Sequence, residues 1–249
     1  MGKRKRDEYL KKLRLSPIDF LPERPYAMKN GAKAIPRKGT KDFYMLFVAR
    51  EQDIGSHLAM KENETFVDVG ANVGSYTLSA AKQYEDKGVK IIAVEAHPDN
   101  YRALRRNIQI NNFGNVKTIN KAVSDYRGNV TIYERSHDGS RVDSDLYSLY
   151  DTTFLAQNNI LHPGGNLLQL QCDTLDNMLL DQRVDVMKID IEGAEVMALK
   201  GALNTLKKLR KIVVEIHGDN NSIVQRILLE HDFDVQNTVE HHVVGSKKL

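Results

Sequence analysis

From residue 64 onward, short runs of β-branched and aliphatic residues alternate with stretches whose apolar positions recur at helical spacing. The runs predict strands over 64–70 (ETFVDVG), 90–96 (KIIAVEA), 116–123, 129–134, 185–191 (DVMKIDI) and 211–217 (KIVVEIH). Between them, helices are expected over 75–83, capped by Ser75, from Pro98 to about residue 112, over 195–209, and around 222–231. The runs are apolar throughout rather than on alternate positions, which marks strands buried on both faces. The pattern therefore predicts an α/β fold: a doubly wound, mostly parallel Rossmann-like sheet with helices on both faces. Residues 233–244 are expected to add a C-terminal antiparallel strand pair. Upstream, Phe43, Leu46, Phe47, Ile54 and Leu58 predict an amphipathic helix over 42–61.

Two segments break the alternation. Pro17, Pro22, Pro25 and Pro36 deny regular structure between residues 17 and 36, so residues 1–40 read as a basic, proline-rich leader that wraps the domain irregularly. Residues 136–166 are polar and too long for an idle connection, which predicts a variable loop on the acceptor side of a single domain over 41–249. Arg141, Tyr147, Tyr150 and His162 offer contacts there.

Composition narrows the class. Hydrophobic residues at 41% and charged residues at 28% describe an ordinary globule. The net charge of +3 is misleading, because residues 1–14 alone sum to +5 and leave −2 for the rest. Basicity is thus confined to one end rather than spread over a nucleic-acid-binding face. Cys172 is the single cysteine, so neither a disulfide nor a multi-cysteine zinc site forms within the chain, and a reducing, cytoplasmic setting is expected. The first residues lead into charge rather than an apolar stretch, unlike a secretory signal, and no run approaches membrane-spanning length.

In a doubly wound sheet, ligands bind beyond the carboxyl ends of the strands. The first strand delivers Asp68-Val69-Gly70-Ala71-Asn72-Val73-Gly74, and the second delivers Glu95, placed to accept both hydroxyls of a ribose. A pyridine-dinucleotide fingerprint needs G-x-G-x-x-G, and Asn72 stands at its middle glycine, hindering approach of a pyrophosphate. A nucleoside without phosphate fits better, and S-adenosylmethionine is the common one. A dehydrogenase is the reading this disfavours.

The order FVDVGANVGSYT (66–77), AVEAHPDN (93–100), LDNML (175–179), KIDIEGAE (188–195), LKGA (199–202) and VVEIH (213–217) resembles the FkbM family of class I S-adenosylmethionine-dependent methyltransferases. The resemblance covers about residues 43–235, and K-I-D-I-E-G-A-E is its most specific block. It implies methyl transfer to oxygen on sugars, lipids or natural products. By position it assigns the methionine-side cradle to Asp68, Gly70, Ala71, Asn72 and Gly74. Glu95 and Ala96 take the ribose edge, Val123 and Ser124 the adenine, and Asp190 the sulfonium.

The acceptor hydroxyl needs its proton removed as the new bond forms. Asp190 and His217 are the candidate bases, with Glu192 orienting a partner; Lys188 stands at the same strand end. Alternatives remain open here. Glu192 also suits a helix N-terminus near Gly193. Asp190, Glu215 and His217 offer donors to a divalent ion, although no metal is expected. His241 and His242 read as surface residues. RNA methylation served by the basic arm is the enzymatic rival, but base-modifying enzymes place Pro-Pro and an aromatic where Ile191-Glu192-Gly193 stands. A non-catalytic nucleotide-binding module of the same fold is the other.

Overall fold

The computed structural model describes residues 16–48, 55–134, 147–148, 166–238 and 241–247. The basic arm therefore lies outside the described residues, as do most of the 136–166 loop and Arg141, Tyr150 and His162 within it.

The leader begins with a 3₁₀ turn over Pro17–Phe20 and a two-stranded ladder, β1 (Tyr26–Ala27) with β2 (Lys33–Ala34). A wide π-type turn over Tyr44–Val48 follows. Of the amphipathic helix expected over 42–61, residues 42–48 are helical and residues 55–58 are turn, while residues 49–54 lie outside the described residues. Strand β3 (Thr65–Val69), helix α1 (Ser75–Gln83), strand β4 (Lys90–Val94), helix α2 (Pro98–Gln109) and strand β5 (Val116–Ile119) form the first half of the main sheet. Two strands, β6 (Ala122–Val123) and β7 (Gly128–Glu134), then leave it, followed by β8 (Tyr147–Ser148) and β9 (Asn166–Asp173). The second half comprises α3 (Leu175–Met178), β10 (Val186–Ile189), α4 (Glu195–Lys200), α5 (Leu203–Lys208), β11 (Lys211–Glu215), α6 (Asn221–Leu229), β12 (Asp234–Asn237) and β13 (His242–Ser246).

The main sheet runs β12-β13-β11-β10-β3-β4-β5. Strands β5, β4, β3, β10 and β11 are mutually parallel, while β13 and β12 close the far edge antiparallel. The expected fold class and C-terminal pair are therefore both present. The order reverses between β3 and β10, the place where a doubly wound sheet opens a crevice. Register brings Val69 level with Ile189 and Val94, so three strand ends open at one height.

Alternate residues of the central strands enter two cores. Phe66, Ile91, Ala93, Val186 and Val213 face α1, α2 and the leader, whereas Val67, Ile92, Met187, Ile189 and Val214 face α4 to α6. Each strand is apolar on both sides, as a sheet covered on both faces requires.

Three local expectations are corrected. The strand expected over 116–123 is two strands in different sheets. Asn120 donates its side-chain amide to the carbonyls of Glu95 (2.8 Å) and Ala96 (3.0 Å), and the chain turns there. Residues 122–123 then join a four-stranded sheet, β6-β9-β7-β8, whose long member β9 is spelled by an alternating run (NLLQLQCD) that the sequence reading passed over. The helix expected over 195–209 is broken at Gly201, where a Cβ would lie 2.2 Å from the Ser124 carbonyl oxygen. A new N-terminus follows, capped by the Asp176 carboxylate, which accepts from the amides of Asn204 and Thr205 at 2.9 and 2.7 Å. Finally, Ser75 is not a cap. Gly74, in the left-handed region, holds that position with its backbone alone.

Candidate active site

The glycine turn after β3 is built against the end of β10. Gly70 has φ +81°, and a Cβ there would meet the Asp190 carbonyl oxygen at 1.8 Å. Only glycine lets the two strand ends close to this distance. Asn72 also takes a left-handed φ of 50°, which asparagine tolerates, and its amide N–H donates to Glu95 Oε2 at 2.8 Å. The other Glu95 oxygen accepts from the His97 amide at 2.8 Å. Glu95 is therefore a clasp between the glycine turn and the start of α2. Burial pushes its carboxyl up to about 7, against the two amide hydrogen bonds that favour the anion. Asp68 lies beneath the same turn. Its Oδ2 accepts from Thr77 Oγ1 at 2.5 Å, its Oδ1 is buried without a hydrogen bond, and burial raises its pKa.

These residues edge a cleft of about 770 Å³ including its open mouth. Gly70, Asn72, Glu95, Ala96, Val123 and Asp190 line it, as expected from their positions after the strands. Three others lie behind the wall. Asp68 supports the turn, Gly74 starts α1, and Ser124 is fully buried, its amide bonded to the Asp173 carbonyl at 3.0 Å. Ala71 points to the opposite side, into a neighbouring cavity. The sequence reading missed Met45, His97, Asn100, Lys121 and Ile132, which also line the cleft. His97 had a signal: it precedes Pro98, and its Nδ1 caps α2 by accepting from the Asp99 amide at 3.2 Å. Asn100 had none. It is held by Arg37 of the leader at 2.7 Å, a contact spanning 63 residues.

The cleft lining suits an adenosine. Val94, Val123 and Ile132 offer apolar walls for a base, and Glu95 stands between base and turn.

The strand ends of β10 and β11 bring the expected catalytic residues together. Ligand atoms of Asp190, Glu192 and His217 lie within 4.8 Å of one another. Asp190 Oδ2 accepts from the buried Lys188 ammonium at 2.8 Å. Burial alone would raise the Asp190 pKa, but Lys188 and His217 outweigh it and hold the carboxyl below its usual range. The His217 ring is oriented by a residue the sequence reading took only as a helix start: Glu195, fully buried, whose Oε1 lies 3.0 Å from Nδ1. That contact turns Nε2 toward Glu192 at 3.4 Å and Glu215 at 3.7 Å. Burial opposes the charge on His217, yet the Glu195 hydrogen bond and the Glu192, Glu195 and Asp190 carboxylates raise its pKa to about 9. His217 is an imidazolium at neutral pH in this arrangement.

Glu192 does not cap a helix. The helix begins at Glu195, whose own carboxylate accepts from the Gly193 amide at 2.7 Å, and Glu192 is held at φ +51° beside His217. The metal-competent triplet is Asp190, Glu192 and His217, with Glu215 at its edge. His242 is not a surface residue: it is buried on β13, 3.8 Å from Glu215. Among the described residues, no helix is long and apolar enough to cross a membrane.

The model of the methyltransferase FkbM domain matches residues 68–238. "Methyltransferase sdnD" of Sordaria araneosa is 27% identical over 176 residues, covering 63% of this chain and 67% of that protein. "Methyltransferase 1" of Beauveria bassiana is 26% identical over 150 residues, covering 56% and 59%. Among solved structures, methyltransferase FkbM from Methylobacillus flagellatus superimposes with a TM-score of 0.51 at 17% identity, over 77% of this chain and 45% of that one. The last likeness speaks to the fold. With the domain model matching residues 68–238, well over half of the chain, the chain belongs to the FkbM family of S-adenosylmethionine-dependent methyltransferases.

Proposed function

We propose that the protein transfers a methyl group from S-adenosylmethionine to a hydroxyl oxygen on a sugar, lipid or natural-product-like small molecule. The observation that carries this reading is the meeting of Asp190, Glu192 and His217 at the strand ends beside Gly70. Bound in the cleft, the cofactor supplies a methyl group on a cationic sulfur and leaves as a neutral thioether. The chain's part is to orient, to balance charge and to move one proton.

Asp190 faces that cation, with Lys188 fixing its carboxylate in place. Glu95 takes the ribose hydroxyls with the lone pairs left free by the Asn72 and His97 amides. His217 releases its Nε2 proton to solvent on cofactor binding and then receives the hydroxyl proton through Nε2, while Glu195 holds the ring at Nδ1. A positive charge arriving beside Asp190 lowers the His217 pKa and so favours the basic form. Glu192 and Glu215 then stabilise the imidazolium that results.

Four carboxylates about one histidine are a poor setting for a polyphosphate chain, which weighs against an RNA acceptor. The test is incorporation of tritiated methyl from labelled cofactor into small-molecule extracts and into RNA. Label in the extract, lost in Asp190→Asn, supports the reading; label in RNA alone overturns it. Running the assay with EDTA separates a metal-assisted route through Asp190, Glu192 and His217: activity lost on chelation and restored by magnesium would assign those three to an ion.

A further inference from the structure

A second cavity, about 1600 Å³ including its mouth, adjoins the first and shares Met45, Gly70, Asn72 and Asp190 with it. It lies on the sheet face covered by α1 and the leader, where strand alternation points Phe66, Lys188 and Asp190. One wall is α1, through Tyr76, Ser79, Ala80 and Tyr84; the others are the leader at Met28 and the segment carrying Leu58 and Met60. Most of this lining is apolar. Of its charged groups, Lys29 is exposed on the leader, whereas Lys188 is buried where the two cavities meet, 2.8 Å from Asp190 and 4.5 Å from the centre of the Tyr76 ring.

Resting on the methyl-transfer reading above, the geometry points to this chamber as the acceptor site, taking an elongated, largely apolar molecule whose leading hydroxyl reaches the Lys188–Asp190 pair. Three observations argue for that occupant. Continuity at Gly70 and Asp190 gives a molecule in the chamber direct access to the groups that face the sulfonium. An apolar lining rewards removal of hydrocarbon from water, at about 25 cal/mol per Å². A polar acceptor filling the same space would strand those of its hydroxyls that face Met28, Leu58, Met60 and Phe66, whose side chains offer no hydrogen bonds, even where others meet Ser75, Ser79 or Gln83. Lys29, Asn30 and Gln83 are exposed, so the buried polar floor offered to the single polar end of an apolar molecule is the Lys188–Asp190 pair.

The test is calorimetric binding to the full chain, with 4-octylphenol as the apolar hydroxylated probe and methyl glucoside as the polar one. S-adenosylhomocysteine is titrated first, and both probes are then titrated with and without it. Ser79→Trp and Met60→Trp fill the chamber from different walls at half-buried positions, so one reads the result if the other fails to fold. Octylphenol should bind the parent chain, weaken by about tenfold or more in either variant, and leave S-adenosylhomocysteine affinity within about twofold. Octylphenol that fails to bind, or binds both variants as it binds the parent, overturns the chamber, as does glucoside binding abolished by either tryptophan. Failure of S-adenosylhomocysteine to bind the parent overturns the methyl-transfer reading instead, and the probe titrations without it still judge the chamber.

Discussion

Asp190 and His217 sit in one small volume but are poised oppositely. Asp190 is kept anionic by Lys188, which makes it a weak base and a good neighbour for a cation. His217, raised to about 9 by its carboxylate neighbours, has to lose a proton before it accepts one. Asp190→Asn removes the anion while keeping the shape, and should lower kcat by about 100-fold, with loss of cofactor affinity as a second readout. His217→Gln should lower it by a similar order, about 100-fold, the scale of a lost general base. The parent's kcat/KM for the cofactor, which reports the free enzyme, should rise with pH toward the alkaline limb set by His217, and the glutamine variant should lack that limb. A parent whose kcat/KM for the cofactor is flat between neutral pH and 9.5 would remove His217 from proton transfer.

At the scale of elements, the leader acts as a strap drawn across α1 and α2 by side-chain amides. Asn107, fully buried, accepts from the Ile35 amide at 2.8 Å and donates to the Val73 carbonyl at 3.0 Å, tying leader, α2 and glycine turn together. Asn107→Ala leaves both buried backbone groups unsatisfied and should cost about 2–3 kcal/mol in denaturant unfolding. Gly70→Ala is more severe, since its methyl group has no room beside the Asp190 carbonyl and its φ is unfavourable; no soluble folded protein is the expected outcome in a melting experiment. How much of this was legible in the sequence depends on the range of the interaction. Strands β3, β4, β10 and β11 were, because burial on both faces forces a continuous apolar spelling. So were Gly70, Glu95 and Asp190, because strand ends fix their address. Met45, Asn100 and the Glu195 contact to His217 were not: each depends on packing between distant segments, and none leaves a local pattern. The break at Gly201 was hidden for the same reason, since it is imposed by the Ser124 carbonyl across the fold.

For the whole molecule, burial of acidic groups beneath the cleft makes stability and cofactor binding respond to pH in opposite senses. Glu95 titrates near 7 in the fold and near 4.5 when unfolded. A raised folded pKa means that the native state holds its proton longer, so this contribution is complete below about pH 4.5 and is lost as pH rises through 7. His217, at about 9 against 6.5 unfolded, has the same sign over a higher window, complete below 6.5 and lost through 9. The ligand-free protein should therefore lose stability steadily from pH 5 to 9. Ribose hydroxyls donating to Glu95 favour its anion, so binding expels the proton and tightens as pH rises through 7. The rise in Tm produced by S-adenosylhomocysteine should then be larger at pH 8.5 than at pH 5.5, because a ligand that binds only the folded state stabilises it in proportion to its affinity. In Glu95→Gln, which cannot titrate, the increment should be nearly the same at both values. An increment that shrinks with pH in the parent would place the ribose away from Glu95 and leave the clasp between the glycine turn and α2 as that residue's whole role.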